Sequence, residues 1–226
     1  MLLSGTSFGQ GFSYPVIQQS TSTPDSFVPK GWTILKSATG DLNHDEFDDL
    51  ALVLQHNDSV SVIIQEDNYN DTVICQPRIL VIAFYNPVTK QYDKVEQSNT
   101  FILCHDNPNM EEPFQDIAIQ NRVLKIEFFI FYNMGSWEMS NNSYSFRYQD
   151  NAFTLIGADD NTVNRGSGET ENRSYNFLTK KVKVTTGNIS SDKEEILWRK
   201  LSINELKTLK TFKQPFTYEV EKDIFL

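Results

Sequence analysis

The period of the apolar residues constrains this chain most. From Gly31 onward the runs WTILKSA, LALVLQ, VSVIIQ, RILVIAFY, DIAIQ, VLKIEFFIFY, YSFRYQ, AFTLIG, KKVKVTT and FTYEVEKDIFL are five to eleven residues long and mostly alternate apolar with polar side chains. A repeat of two puts successive side chains on opposite faces of an extended strand and cannot form the stripe that a helix needs. The connectors carry turn chemistry: Asn86-Pro87, Gln120-Asn121-Arg122, Gln149-Asp150-Asn151 and Gly187-Asn188. IAIQNRVLKIEFF and YSFRYQDNAFTLIG each join two β runs through residues tolerant of positive φ, which predicts hairpins and an antiparallel meander. EEILWRKL is read as a strand pairing back onto KKVKVTT. Helical spacing is confined to SINELKTLKTF, where Ser202 is the expected N-cap ahead of Ile203, Leu206 and Leu209.

The expected fold is therefore all-β, an antiparallel meander with a short C-terminal helix. Residues 1–30 predict a clipped signal remnant followed by an irregular leader, and 31–226 a single all-β domain. MLLSGTSFGQ ends like a secretory signal, with Ser7 and Gly9 at the −3 and −1 positions ahead of Gln10. QGFSYPVIQQSTSTPDSFVPK holds three prolines and shows no period. The segment 157–176, rich in Gly, Asn and charge, reads as a long flexible loop.

Charge excludes one large class of partner. A formal net charge of −10 with no basic cluster disfavours nucleic acid, whose phosphates need a concentrated basic face. No apolar run reaches the roughly 18–20 residues of a membrane-spanning helix, so no transmembrane segment is expected. Cys75 and Cys104 flank a hairpin that turns near Val88 and Thr89, so a disulfide is geometrically reasonable and would fit a periplasmic or secreted protein; two unrelated buried thiols are the alternative.

One stretch points to chemistry. GDLNHDEFDD, residues 40–49, packs five acidic side chains between two apolar strands. Calcium takes six to eight oxygen ligands, which a tightly wound loop supplies from alternate residues. Asp41, Asn43 and Asp45 stand at positions 1, 3 and 5, the carbonyl of Phe47 at 7 and Asp49 at 9, and these five are the candidate metal ligands. Position 12 is Leu52, inside a strand, where a helical calcium hand would have Glu. A surface turn whose side chains bond their own backbone is the alternative.

With its flanking strands this loop resembles the calcium loops of FG-GAP and VCBS-type repeats, and residues 31 to about 186 resemble bacterial envelope proteins bearing one such loop. The resemblance implies bound Ca2+, β-propeller-blade-like units and a place among extracellular interaction scaffolds. Only one copy of the loop is present, so a twisted β-sandwich is the alternative architecture. Glu46 stands at position 6, where these loops usually have Gly, and must accept an awkward backbone.

The expected function is binding of a protein or glycan, not catalysis. An envelope immunity or inhibitor protein, small and acidic enough to plug a basic toxin or enzyme, is one alternative. A hydrolase using Glu127 or Glu138 with Asp116 is the other, and it requires those carboxylates to converge in a deep cleft. Trp137 is expected to cap the core, with stacking on a partner as the alternative, and Glu127 to face outward from its strand.

Overall fold

The structure, a computed structural model, describes residues 12–66 and 69–226, without the side chains of 63–66 and 69–72. The signal-like stretch MLLSGTSFGQ lies outside the described residues. In chain order the strands are β1 (Ser20–Thr21), β2 (Trp32–Gly40), β3 (Asp49–His56), β4 (Val60–Glu66), β5 (Tyr69–Cys75), β6 (Arg78–Asn86), β7 (Gln91–Ser98) and β8 (Phe114–Gln120). They continue as β9 (Val123–Phe131), β10 (Glu138–Gln149), β11 (Ala152–Asn164), β12 (Glu169–Asn176), β13 (Lys181–Asn188), β14 (Ser191–Lys200), β15 (Glu219–Glu221) and β16 (Ile224–Phe225). The single α-helix among the described residues, α1, spans Leu209–Phe212.

Pairing is antiparallel throughout. One sheet runs β1-β7-β6-β3-β2 and the other is a seven-stranded meander, β14-β13-β12-β11-β10-β9-β8; β4-β5 and β15-β16 form separate hairpins. The turns predicted after Asn86, at Asn121-Arg122 and at Asp150-Asn151 occur as read, whereas Gly187 and Asn188 end β13 and the turn falls on Ile189 and Ser190. Asn121 and Arg122 (φ 51° and 62°) and Asp150 and Asn151 (φ 50° and 59°) place two successive left-handed residues between paired strands, the twist that tight hairpins need. Strand β14 pairs with β13 as expected, Lys183 opposite Trp198.

Both sheets contribute to one buried cluster. Ala51, Val53, Leu80 and Ile82 of the smaller sheet meet Ile117, Leu124, Ile126, Phe128, Tyr144 and Phe146 of the larger. Sheets of five and seven strands sharing a core make a sandwich, where a propeller would divide the chain into small blades. Strands β3 and β6 are buried on both faces, since Leu50, Leu52, Leu54, Ile79, Val81 and Ala83 form a second core on the far side. Their runs are accordingly almost continuously apolar.

The cover for that second core is the leader. Ile17 and Phe27 are buried in it, β1 pairs with β7, and the Lys94 ammonium donates to the Ile17 carbonyl at 2.7 Å. Residues 12–30 are thus part of the fold, although their prolines hide any period. The C-terminal segment plays the matching role on the seven-stranded sheet: Leu201, Ile203, Leu209, Phe212, Val220 and Leu226 join the main core. Here the expected helix shortens to one turn. Thr208, not Ser202, caps it, accepting from Thr211 N–H, and the Lys207 carbonyl accepts the Leu155 N–H at 2.8 Å. Tying 207–208 to β11 through that bond and the Thr154–Thr208 bridge leaves the upstream backbone unable to wind.

Cys75 and Cys104 are bonded, with Cα atoms 6.1 Å apart, and close a separation of 29 residues. The polar stretch 157–176 is not a loop. It is the end of β11 and all of β12, paired from Gly157–Asn176 to Val163–Thr170 around a turn at 165–168. Several of its polar residues find partners on the sheet, Asp159 accepting from Ser143, Asp160 from Thr162 and lying 3.9 Å from Arg173, which offsets part of the desolvation cost that made it read as a loop.

Candidate functional site

Residues 41–49 wind tightly about their own carboxylates. Asp41 Oδ1 accepts the His44 and Asp45 N–H groups at 2.6 and 3.3 Å, and Oδ2 accepts Glu46 N–H at 3.3 Å. Asn43 Oδ1 accepts Asp45 N–H at 3.1 Å, and Asp45 Oδ1 accepts Phe47 N–H at 2.9 Å. His44 and Glu46 both take φ of 71°, so the awkward backbone expected at Glu46 is present and is shared by His44.

Asp49, wholly buried at the start of β3, uses both oxygens on backbone. Oδ2 accepts Leu42 and Asn43 N–H at 2.8 and 3.2 Å, and Oδ1 accepts Tyr85 N–H at 3.0 Å. It pins the loop to β6. Burial raises its pKa from 3.8 to about 6; the three N–H donors pull the other way but do not outweigh the desolvation.

As a cation site the fit is partial. Asp45 is exposed, Asp41 and Asn43 are half-buried with Arg122 4.0 Å from Asp41, and Asp49 is enclosed and already triply bonded. Among the described residues no group of three or more His, Cys, Asp or Glu side chains is arranged to hold a metal ion. An ion here would draw on Asp41, Asn43, Asp45 and the Phe47 carbonyl, and would share Asp49 with three amides.

The carboxylates of the hydrolase alternative do not share a cleft. Glu127 faces outward, as expected, and its carboxylate pairs with Lys125 at 2.6 Å. Asp116, its cross-strand partner, pairs with Lys36 at 3.2 Å, and both acids are about half exposed. Glu138 lies elsewhere, on a cleft of the seven-stranded sheet.

That cleft was not legible in the sequence, because it is assembled from five strands. Three cross-strand rows on the core-side face describe it. Tyr144, Ala158, Tyr175, Val182 and Arg199 form the first, with all but Arg199 buried. Two residues further along each strand come Asn142, Asp160, Arg173, Val184 and Leu197, and then Ser140, Thr162, Glu171, Thr186 and Glu195. Along this direction the sheet passes from beneath its cover into solvent.

Thr162, Glu171, Thr186 and Glu195 of the outer row line an open cleft of about 580 Å³ with Glu138, Asn164, Glu169 and Lys193. Four carboxylates and several hydroxyls line it against one ammonium. Just beneath, Arg173 is ion-paired to Glu171 and lies 3.9 Å from Asp160, whose pKa burial raises. Trp137, next to Glu138, does not cap the core. It is 71% exposed and lies over Gly166, where an added Cβ would sit 3.3 Å from its ring.

The fold and this face define an all-β sandwich with an open acidic cleft on its larger sheet. Comparison of the chain with protein-family models, curated proteins and solved structures finds no match.

Proposed function

We propose that this is an exported binding protein that receives a cationic segment of a partner protein in the cleft of the seven-stranded sheet, in the manner of an envelope immunity or inhibitor protein. The observation that carries the reading is the cleft lining, with Glu138, Glu169, Glu171 and Glu195 set against Lys193, and with Arg173 beneath them paired to Glu171 and near Asp160, which leaves the acids in excess. Carboxylates on adjacent rigid strands match Lys and Arg side chains, and an acidic field speeds their encounter. Threonine hydroxyls and the exposed Trp137 add polar and aromatic contacts of the kind such interfaces use. The disulfide is consistent with an oxidising compartment.

The test is calorimetric titration with Lys/Arg-rich, acidic and uncharged peptides and with neutral oligosaccharides. Salt-sensitive binding of the cationic peptides, lost in Glu171→Gln/Glu195→Gln and kept in the charge-matched control Asp116→Asn/Glu127→Gln, supports the reading. Equal loss in the control would reduce it to bulk charge, and preference for an oligosaccharide would replace it.

The winding of residues 41–49 about Asp41 supports a second, separate reading, in which the loop takes Ca2+ and is stabilised by it. Calcium titrated into chelator-treated protein should then raise the melting temperature in wild type but not in Asp45→Ala. An unchanged melt in both would remove calcium from the description.

A further inference from the structure

Strand β14 ends the seven-stranded sheet, and among the described residues its cover is confined to its C-terminal end, where Arg199 donates to Glu221 at 3.1 Å. Its sequence, SDKEEILWRK, has nine of ten residues exposed, including Ile196, Leu197 and Trp198 at 55%, 58% and 63%. Edge strands of this length are ordinarily blunted by proline, a bulge or a central charge, because their unpaired N–H and C=O groups template further pairing. Here proline is absent, the centre is apolar, and the one register shift against β13 is confined to the 191–195 end. At the opposite edge of the sheet β8 lies against β2, with Lys36 bonded to Asp116.

We infer that two copies of this chain associate about a two-fold axis by antiparallel pairing of their β14 strands, with Leu197 on the axis.

Backbone geometry limits the registers. Just beyond the paired ends of β13 and β14, Leu201 N–H donates to the Lys180 carbonyl, and the unbroken register from Lys200 back to Glu195 then directs the N–H and C=O of the odd-numbered residues 195, 197 and 199 inward to β13. Even-numbered residues direct theirs outward, and a second β14 must bond to those. Only axes through a residue satisfy this, since an axis between residues would set even against odd.

Charge then selects among the axes. Centring on Glu195 stacks that carboxylate on itself, and centring on Ile196 sets Lys193 against Arg199 and Glu195 against Leu197. Centring on Leu197 places Glu194 opposite Lys200, Glu195 opposite Arg199, Ile196 opposite Trp198 and Leu197 opposite its own copy. Every pair from 194 to 200 is complementary, with the Arg199 guanidinium shared between Glu221 of its own chain, to which it donates at 3.1 Å, and Glu195 of the second copy. The strand carries its acids on one side of this centre and its bases on the other, which is the pattern antiparallel self-pairing requires.

The partner is a second copy, because the complementarity is internal to one ten-residue strand. The inference does not depend on what enters the acidic cleft.

Sedimentation equilibrium of the full chain should give twice the 26.0 kDa of one copy. Glu194→Lys and Lys200→Glu, both at exposed positions, should each weaken the dimer about tenfold or more, since symmetry converts two attractive pairs into two repulsive ones. Combining the two substitutions should restore it. Leu197→Cys should cross-link into a covalent dimer under copper-phenanthroline oxidation, whereas Asp192→Cys should not. A monomer persisting at about 100 μM, where even a weak specific interface is populated, would overturn the inference. So would larger oligomers indifferent to charge reversal, which indicate unspecific edge aggregation, or failure of the double substitution to rescue association while circular dichroism shows it folded.

Discussion

Replacing Asp49 by Asn tests how the loop is held. Burial raises the Asp49 pKa from 3.8 to about 6, which corresponds to roughly 3 kcal/mol of preference for the protonated form in the fold. Between those two values the folded chain keeps a proton that the unfolded chain has lost. Stability from this group is therefore greatest below the unfolded value, falls as pH rises through the window, and is flat above about 6. Asn resembles the protonated acid and does not titrate. The difference between wild type and Asp49→Asn should thus move by about 3 kcal/mol between roughly pH 4 and pH 7, with the variant relatively more stable at neutral pH. Urea denaturation of both proteins, with chelator present, measures this. The reasoning is refuted if Asp49→Asn loses stability relative to wild type as pH rises, because three N–H donors would then outweigh burial. Calcium, if the loop takes it, should favour the ionised side chain and remove the advantage of Asn.

Cys75→Ser/Cys104→Ser should lose about 3–4 kcal/mol in urea denaturation, the loop entropy of a 29-residue separation. Glu112→Ala should lose about 2 kcal/mol: it strands the buried Arg78 guanidinium, bonded bidentately at 2.6 and 2.7 Å, but Glu112 is half exposed and water replaces part of the contact. Gly40→Ala should cost about 1–3 kcal/mol, because its Cβ would lie 2.7 Å from Ile119 Cγ2 where β2 meets β8; a melt unchanged from wild type would show that corner to be loose.

Strands and hairpin turns were legible because period and turn chemistry are local: VLKIEFFIF alone tells that Leu124, Ile126 and Phe128 point one way and Lys125 and Glu127 the other. Cover was not legible. Ile17 and Phe27 sit among prolines and serines, and only the far face of β3 and β6 gives them a purpose. The stretch GADDNTVN reads as loop because its polar groups look unsatisfied until β12 brings Arg173 to Asp160. The candidate calcium loop was visible as a spacing, but that Asp49 spends its oxygens on Leu42, Asn43 and Tyr85 depends on β6, which lies some 30 residues on.

The same asymmetry of cover explains where surface is left over. The smaller sheet and the segment 201–226 together bury the middle of the seven-stranded sheet, from Phe128 and Tyr144 to Val182 and Val184. Neither buries the row Ser140, Thr162, Glu171, Thr186 and Glu195, whose Ser140 end borders Phe216 and Phe225, nor the outer edge of β14 beyond the Arg199–Glu221 pair. The row is polar and charged, as suits a face that stays wet until a partner arrives. The edge is apolar at its centre, which water does not favour and which a second strand would bury. If that edge is paired, the two clefts lie on one continuous sheet, since Glu195 lines the cleft and is also a member of the Glu195–Arg199 pair across the axis. Glu195→Gln should then weaken both cationic-peptide binding and self-association, whereas Glu138→Gln, on β10, should weaken only the first; an effect of Glu138→Gln on the sedimentation mass would contradict this division of the surface.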